Sequence, residues 1–339
     1  MKKVTILDIA KELNVTFSTV ARALNDHPAI SAATKKAVRE TAERLNYRQN
    51  KIASSLRSGR TNVIGVIVPS LRVTFFSSVV SGIEQVMNAN GYNILLYQSN
   101  ESLVKEKKGI ETFLQSRVDG ILASITTETT DYSSYEEIIK RKTPLVFFDR
   151  AIDQLNISSV TINDYKGGFT ATEHLIQQGY KRILHITADR EILIFRERLR
   201  GYIDALRYYG LPVDDDLIVK GDFSPEYGKT VIKEARLKNL EYDAVFALED
   251  FTAMGVLQQL QEFNVKIPEE VAVIGFANES FGSLVTPQLS TIDQQTILMG
   301  KEAAKLLLKL KKAELTQEEK PEKIVLDPLL IVRASSRRK

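Results

Sequence analysis

The apolar positions near the start of the chain recur at helical spacing. Ile6, Ile9, Ala10 and Leu13 form one stripe behind Thr5, a residue able to cap a helix start. Asn14 and Val15 interrupt it, and Thr16 opens a second short helix, Phe17 to Leu24, with Val20, Ala21 and Leu24 facing inward. Small Ala10 and Ala21 would let the two helices cross closely. A third helix, Ala32 to Leu45, offers Ala37, Val38, Ala42 and Leu45 to cover the pair, and Asn50 to Leu56 is a further short helical pattern that Gly59 stops. From Asn62 the pattern changes. Continuous apolar runs at Val63–Val68, Asn93–Tyr97, Gly120–Ala123 and Leu145–Phe148 alternate with helical stretches such as Ser77–Ala89. A second series begins at Ser159–Ile162 and continues through Ile183–Ile186, Ile218–Lys220, Ala244–Ala247 and Val271–Ile274. Uninterrupted β-branched strands separated by helices predict parallel sheets covered on both faces. Two such series of similar size predict two doubly wound subdomains with a cleft between them.

Two short helices joined by a tight turn make a helix-turn-helix, whose second helix enters the DNA major groove. The run from Val4 to Ala10, then Val15 to Asn25, Val38 to Tyr47 and Asn50 to Leu56, resembles the DNA-binding head of the lactose-repressor (LacI/GalR) family. The resemblance continues more thinly to Arg333. It implies an all-α helix-turn-helix head on an α/β periplasmic-binding-protein-like core of two doubly wound parallel-sheet subdomains. The expected boundaries are 1–49 for the head, 50–60 for a hinge helix and linker, and 61–339 for the core. Within the core, one subdomain is expected at 61–160 with 291–320 and the other at 161–290 with 321–333, so that a C-terminal strand, Ile324 to Val332, returns to the second. Without a leucine heptad after Arg333, no tetramerising helix is expected.

Composition narrows this further. The chain has 339 residues, no cysteine, and only three histidines, at 27, 174 and 185, so neither a disulfide framework nor a metal site is expected. Met1-Lys2-Lys3 leads into a polar helix, and no stretch approaches a membrane span, so a cytoplasmic protein is expected. Residues 1–60 hold twelve Lys or Arg against five Asp or Glu, giving +7, and the remaining 34 against 38 give −4. A basic head on a mildly acidic body suits a nucleic-acid partner for the head alone.

On the second helix, Phe17, Ser18 and Arg22 face outward, and the Arg22 fork matches the two acceptors of a guanine in the major groove. Thr5, Thr16, Thr19, Asn25, Ser31, Thr34 and Tyr47 lie around the helix ends, where phosphates are held. Asn50 to Leu56 resembles the family's hinge helix, which folds when two subunits meet over the centre of an operator. Ala53 is small enough for a minor-groove floor and Leu56 is an apolar wedge for a base step.

Candidate ligand residues lie after strands of the core. Phe75 and Phe76 offer aromatic faces, and Asp149 ends a strand in Phe147-Phe148-Asp149-Arg150. By the resemblance, Arg198 matches the effector arginine three residues before a glycine, Phe223 matches the aromatic that closes over the ligand, and Glu249-Asp250 stands where Asn-Asp is usual. The aspartate usual after the glycine-aromatic pair is missing, because Gly275-Phe276 is followed by Ala277; Gln294 remains for a further contact. Two ligand classes fit: an acidic sugar drawn by Arg198, or a neutral carbohydrate held by Glu249 and Asp149, with Glu249 alternatively pairing Arg198. The reading is a homodimeric, sequence-specific transcriptional regulator on a near-palindromic operator, switched by a small carbohydrate-derived effector. Its rivals are a solute-binding receptor, which the basic head opposes, and an enzyme. No Ser-His-Asp order, P-loop or dinucleotide turn supports an enzyme, and Gly167-Gly168 alone is too weak to imply a cofactor.

Overall fold

The structure is a computed structural model that describes residues 4–47, 61–72, 74–189, 192–313 and 320–338. The chain forms two compact units, 1–61 and 62–339. Among the described residues no helix is long and apolar enough to cross a membrane.

The first unit holds α1 (Ile6–Glu12), α2 (Phe17–Leu24) and α3 (Ala32–Arg44). Each start is set by a hydroxyl residue. The Asp8 carboxylate accepts from the Thr5 backbone N–H at 2.8 Å and from its hydroxyl at 2.7 Å, while Thr16 and Ser31 accept from the N–H groups of Thr19 and Thr34, both at 3.2 Å. Ile9, Ala10, Val20, Ala23, Val38 and Ala42 form one core between the helices.

The second unit opens with β1 (Val63–Val68), α4 (Thr74–Ala89), β2 (Asn93–Gln98), α5 (Leu103–Gln115), β3 (Ile121–Ala123), α6 (Ser133–Lys140), β4 (Leu145–Phe148) and β5 (Ser159–Ile162). It continues with α7 (Asp164–Gln177), β6 (Ile183–Ala188), α8 (Leu193–Tyr208), β7 (Ile218–Gly221), α9 (Pro225–Leu237), β8 (Ala244–Ala247), α10 (Asp250–Glu262) and β9 (Ala272–Ile274). Then come β10 (Thr291–Asp293), α11 (Thr296–Ala313), β11 (Lys323–Leu326) and β12 (Leu329–Ile331). One sheet has the order β11-β5-β4-β3-β1-β2 and a second β7-β6-β8-β9, with every ladder parallel; β10 and β12 pair antiparallel. Each large sheet has buried apolar clusters on both faces, which is why its strands read as continuous apolar runs.

Two expectations from the sequence need correction. β5, expected to open the second series, pairs with β4 and β11 in the first sheet. The stretch Ile324 to Val332 is not one strand returning to the second subdomain. It divides around Asp327-Pro328 into β11, parallel to β5 in the first sheet, and β12, antiparallel to β10. Proline lacks the N–H a ladder needs and breaks the strand there. Residues 323–326 therefore belong with the first subdomain.

Candidate functional site: the helical head and the cleft of the core

In the head, α2 buries Val20, Ala21 and Ala23 and turns Phe17, Ser18 and Arg22 outward. Phe17 is 58 % exposed, an apolar side chain open to a partner surface. Arg22 is exposed and makes no ion pair among the described residues. Other basic groups of the head are partly spent within it. Lys35 and Arg39 reach Asp26 at 3.5 and 2.5 Å, and Arg44 pairs with Glu12. The hydroxyls of Thr16 and Ser31 serve as caps, and that of Thr5 donates to Asp8 in the first turn of α1. Thr19 and Thr34 complete the caps, bonding hydroxyl to hydroxyl with Thr16 and Ser31 at 2.9 Å. The Asn25 amide donates to the Ala21 carbonyl at 2.9 Å, and Tyr47 is half-buried against the core. Asn50, Ala53 and Leu56 lie outside the described residues.

In the core, all eight positions singled out in the sequence, Phe75, Phe76, Asp149, Arg198, Phe223, Glu249, Ala277 and Gln294, line one cavity of about 110 Å³. Both subdomains contribute walls. Phe75 and Phe76 start α4 and meet edge to face at 4.9 Å, and Phe223 lies 6.0 Å from Phe195 across the floor of the second subdomain. A wider cleft of about 770 Å³ adjoins it, sharing Asp149, Arg150 and Ile194 and walled by Thr126, Thr127, Thr129 and Thr130. Sites for small molecules usually enclose about 300–1,000 Å³. The inner cavity alone is below that range, and together with the outer cleft the space reaches it.

Arg198 is 4 % exposed and its guanidinium is held on every side. Nε donates to Asp164 at 2.8 Å, one terminal nitrogen to the Leu248 carbonyl at 3.0 Å and the other to Gln294 at 3.4 Å, and the plane stacks on Phe276 at 3.7 Å. The helix carrying it approaches α7 closely: a Cβ on Gly168 would stand 2.2 Å from the Arg198 carbonyl oxygen, so only glycine fits. The pair Gly167-Gly168 thus has a packing role. Burial pushes Asp164 up to about 6 against the opposing charge of Arg198.

Glu249 does not pair with Arg198. It caps α10, accepting from the Thr252 N–H and hydroxyl, both at 2.6 Å, and from the Phe251 N–H at 3.0 Å; burial raises its carboxyl. Asp149, 5 % exposed, accepts from Ser124 at 3.2 Å, and burial raises it against the charges of Arg150 and Arg198. Arg150 pairs with Glu101 at 2.9 Å. Ala277 is held at φ 135°, a region L residues rarely adopt, at a cost of about 1–3 kcal/mol. Sequence reasoning missed Arg150, Glu101, Asp164, Phe276 and Glu279. Arg150 adjoins Asp149 and could have been read with it. Phe276, in the glycine-aromatic pair before Ala277, was likewise in view. Glu101, Asp164 and Glu279 carried no signal, because their roles depend on which strands and loops meet.

Two carboxyls near these walls are poised around neutrality. Burial pushes Asp250 up to about 7, against hydrogen bonds from Thr291 and the Glu279 N–H, and Glu106, beneath the Thr126–Thr129 turn, also up to about 7. Their ordinary values are 3.8 and 4.5, so the folded state holds these protons more tightly than the unfolded chain. Their contribution is complete below about pH 4 and is lost as pH rises through about 7. Urea midpoints should therefore fall between pH 5.5 and 8, and Asp250→Asn should flatten the profile; an unchanged slope would contradict the assignment.

Comparison with known proteins agrees with both halves. Residues 5–50 match the model for bacterial regulatory proteins of the lacI family, and residues 61–326 match that for periplasmic binding proteins and the sugar binding domain of the LacI family. The chain is 34% identical over 307 residues to catabolite control protein A of Priestia megaterium, covering 90% of this chain and 92% of that protein. It is 27% identical to the transcriptional regulator CelR in a cellobiose complex, with a TM-score of 0.74 over 98% of this chain and 100% of that one. The lac repressor dimer bound to operator and the anti-inducer ONPF has the same fold at 23% identity, with a TM-score of 0.87 over 99% of each chain.

Proposed function

The chain belongs to the LacI family of bacterial regulatory proteins, and from that premise we propose that it is a homodimeric regulator whose affinity for a near-palindromic operator is set by a neutral carbohydrate in the core cleft. Sequence-specific DNA binding and control of transcription follow from the family; the dimer, the ligand and the residue roles are our reading. The cleft is read as a binding site without a catalytic step, in keeping with relatives that are regulators. Two heads related by a two-fold axis read two half-sites, which lets one small head suffice. In each, Arg22 reads a base with Phe17 and Ser18 beside it, and the capped helix starts at Thr5, Thr16 and Ser31 hold phosphates. Asn50, Ala53 and Leu56 are assigned to the hinge helix over the operator centre.

The observation that carries the ligand class is the balance of charge around the cavity. Both arginines on its lining are already matched, Arg198 by Asp164 and Arg150 by Glu101. Three carboxylates, Asp149, Glu249 and Glu279, line it as well. Such a wall accepts hydrogen bonds from hydroxyls and repels an anion. Three rings, Phe75, Phe76 and Phe223, supply apolar surface against which a sugar ring packs.

Calorimetric titration of the full chain with cellobiose, D-glucose and D-gluconate tests this. A neutral sugar is expected to bind, D-gluconate to bind at least about tenfold more weakly, and Phe223→Ala to weaken the neutral sugar about tenfold. Ala277→Asp should weaken D-gluconate further. Tighter binding of D-gluconate than of either neutral sugar would overturn the charge assignment. Binding unaffected by Phe223→Ala, Ala277→Asp and Arg198→Ala together would place the ligand elsewhere.

A further inference from the structure

Two residues after Ala277, the loop that leaves β9 places a second acid on the cavity wall. Glu279 is 4 % exposed and lines the same cavity. Its own backbone N–H donates to buried Asp250 at 2.7 Å, which holds the loop in place. Its carboxylate reaches across to the opposite subdomain and accepts from the backbone N–H groups of Thr74 at 3.2 Å and Phe75 at 3.3 Å, the first turn of α4. A helix start favours a negative charge, which accounts for a carboxylate that makes no ion pair among the described residues yet is buried.

Acceptor use and reach across the cavity together distinguish Glu279 from its neighbours. A carboxylate offers about four acceptor positions. Glu249 spends three on bonds of 2.6, 2.6 and 3.0 Å in capping α10. Asp149 accepts from Ser124 and lies 3.6 Å from Arg150. Glu279 holds two long bonds to α4, fewer and longer than those of Glu249, and unlike Asp149, whose partners lie on its own subdomain, it is bonded across the cavity.

We propose that Glu279 is the ligand-gripping carboxylate of this cleft. It accepts hydrogen bonds from a polyhydroxy ligand in place of the carboxylate absent at Ala277, and through its bonds to Thr74 and Phe75 it ties that ligand to the opposite wall. The proposal rests on the reading of the cleft as a carbohydrate site. It makes Glu279 a specificity-determining residue: a hydroxyl that donates to it is sensed by both subdomains at once.

Moving the carboxylate tests the idea. Glu279→Gln keeps the size and one acceptor for the α4 N–H groups but removes the charge. Glu279→Ala removes both, and Ala277→Asp combined with Glu279→Ala returns a carboxylate two residues earlier. Titration of the full chains with cellobiose and D-glucose is expected to show affinity lowered about tenfold by Glu279→Gln and about a hundredfold by Glu279→Ala. The double variant should regain at least about tenfold over Glu279→Ala, a recovery that a purely structural role would not produce. Should Glu279→Ala fail to fold, the near-isosteric Glu279→Gln carries the test. Affinity within about twofold of wild type in Glu279→Gln, or no recovery in a folded double variant, overturns the proposal. If Phe223→Ala weakens sugar binding about tenfold while the Glu279 variants do not, the cleft reading stands and this assignment alone fails. If the wild type binds neither sugar, the carbohydrate reading fails and this proposal falls with it.

Discussion

Replacing Arg198 with alanine is expected to lower the unfolding free energy by roughly 3–5 kcal/mol, the cost of stranding a buried partner charge. The stranded group is Asp164, whose carboxylate takes the Arg198 Nε–H at 2.8 Å with both side chains nearly inaccessible. The same change removes the stacked contact on Phe276 and the donors to Leu248 and Gln294. Ligand binding should be lost as well, because the guanidinium orders three elements of the cavity wall: β5 leading into α7, the end of β8, and the residues after β10. Replacing the pair by apolar residues, Arg198→Met with Asp164→Leu, should recover most of the stability, since no buried charge is then left unmatched. It should not recover ligand binding. Urea unfolding and sugar titration on the same three proteins separate the two effects. A loss below about 1 kcal/mol for Arg198→Ala would mean that Asp164 is compensated in another way.

Arg22→Ala should cost roughly 1–3 kcal/mol of discrimination at one base pair in each half-site while leaving salt-dependent nonspecific binding nearly intact. The side chain stands exposed on α2, free of the ion pairs that occupy Lys35, Arg39 and Arg44. Competition binding with single-base operator variants reads the loss directly. If specific and nonspecific affinity fell together, Arg22 would be a phosphate contact.

The head was legible because its information is local. Helical spacing and a hydroxyl before each helix define α1, α2 and α3. On α2, Val20 and Ala21 are buried as expected and Phe17, Ser18 and Arg22 are exposed, while Ala23, left outside the expected stripe, is buried and Leu24 only half-buried. The cleft was legible in part, since ligands of parallel sheets gather where strands end, and all eight positions chosen on that ground and by family resemblance surround one cavity. What those residues bond to was not legible. Arg198 and Asp164 are 34 residues apart, and Arg150 and Glu101 are 49 apart, so both pairings depend on the tertiary fold. Glu249 looked equally suited to pair with Arg198 and became a helix cap. β5 was assigned to the wrong series because a buried parallel strand has the same apolar run whichever sheet receives it. The division between β11 and β12 did carry a signal, Pro328, inside a stretch otherwise read as one strand.

The central claim is that DNA affinity and ligand occupancy are linked through one chain. Fluorescence anisotropy of the full chain on an operator duplex, selected from genomic fragments, measures this directly with and without a saturating neutral sugar. The expected result is binding specific for that duplex, with an affinity that the sugar shifts by about 5–150-fold in either direction. By reciprocity, the duplex should shift the sugar affinity by the same factor. Equal operator affinity with and without a sugar shown by titration to fill the cleft, or no preference for any duplex over random DNA, would contradict the account.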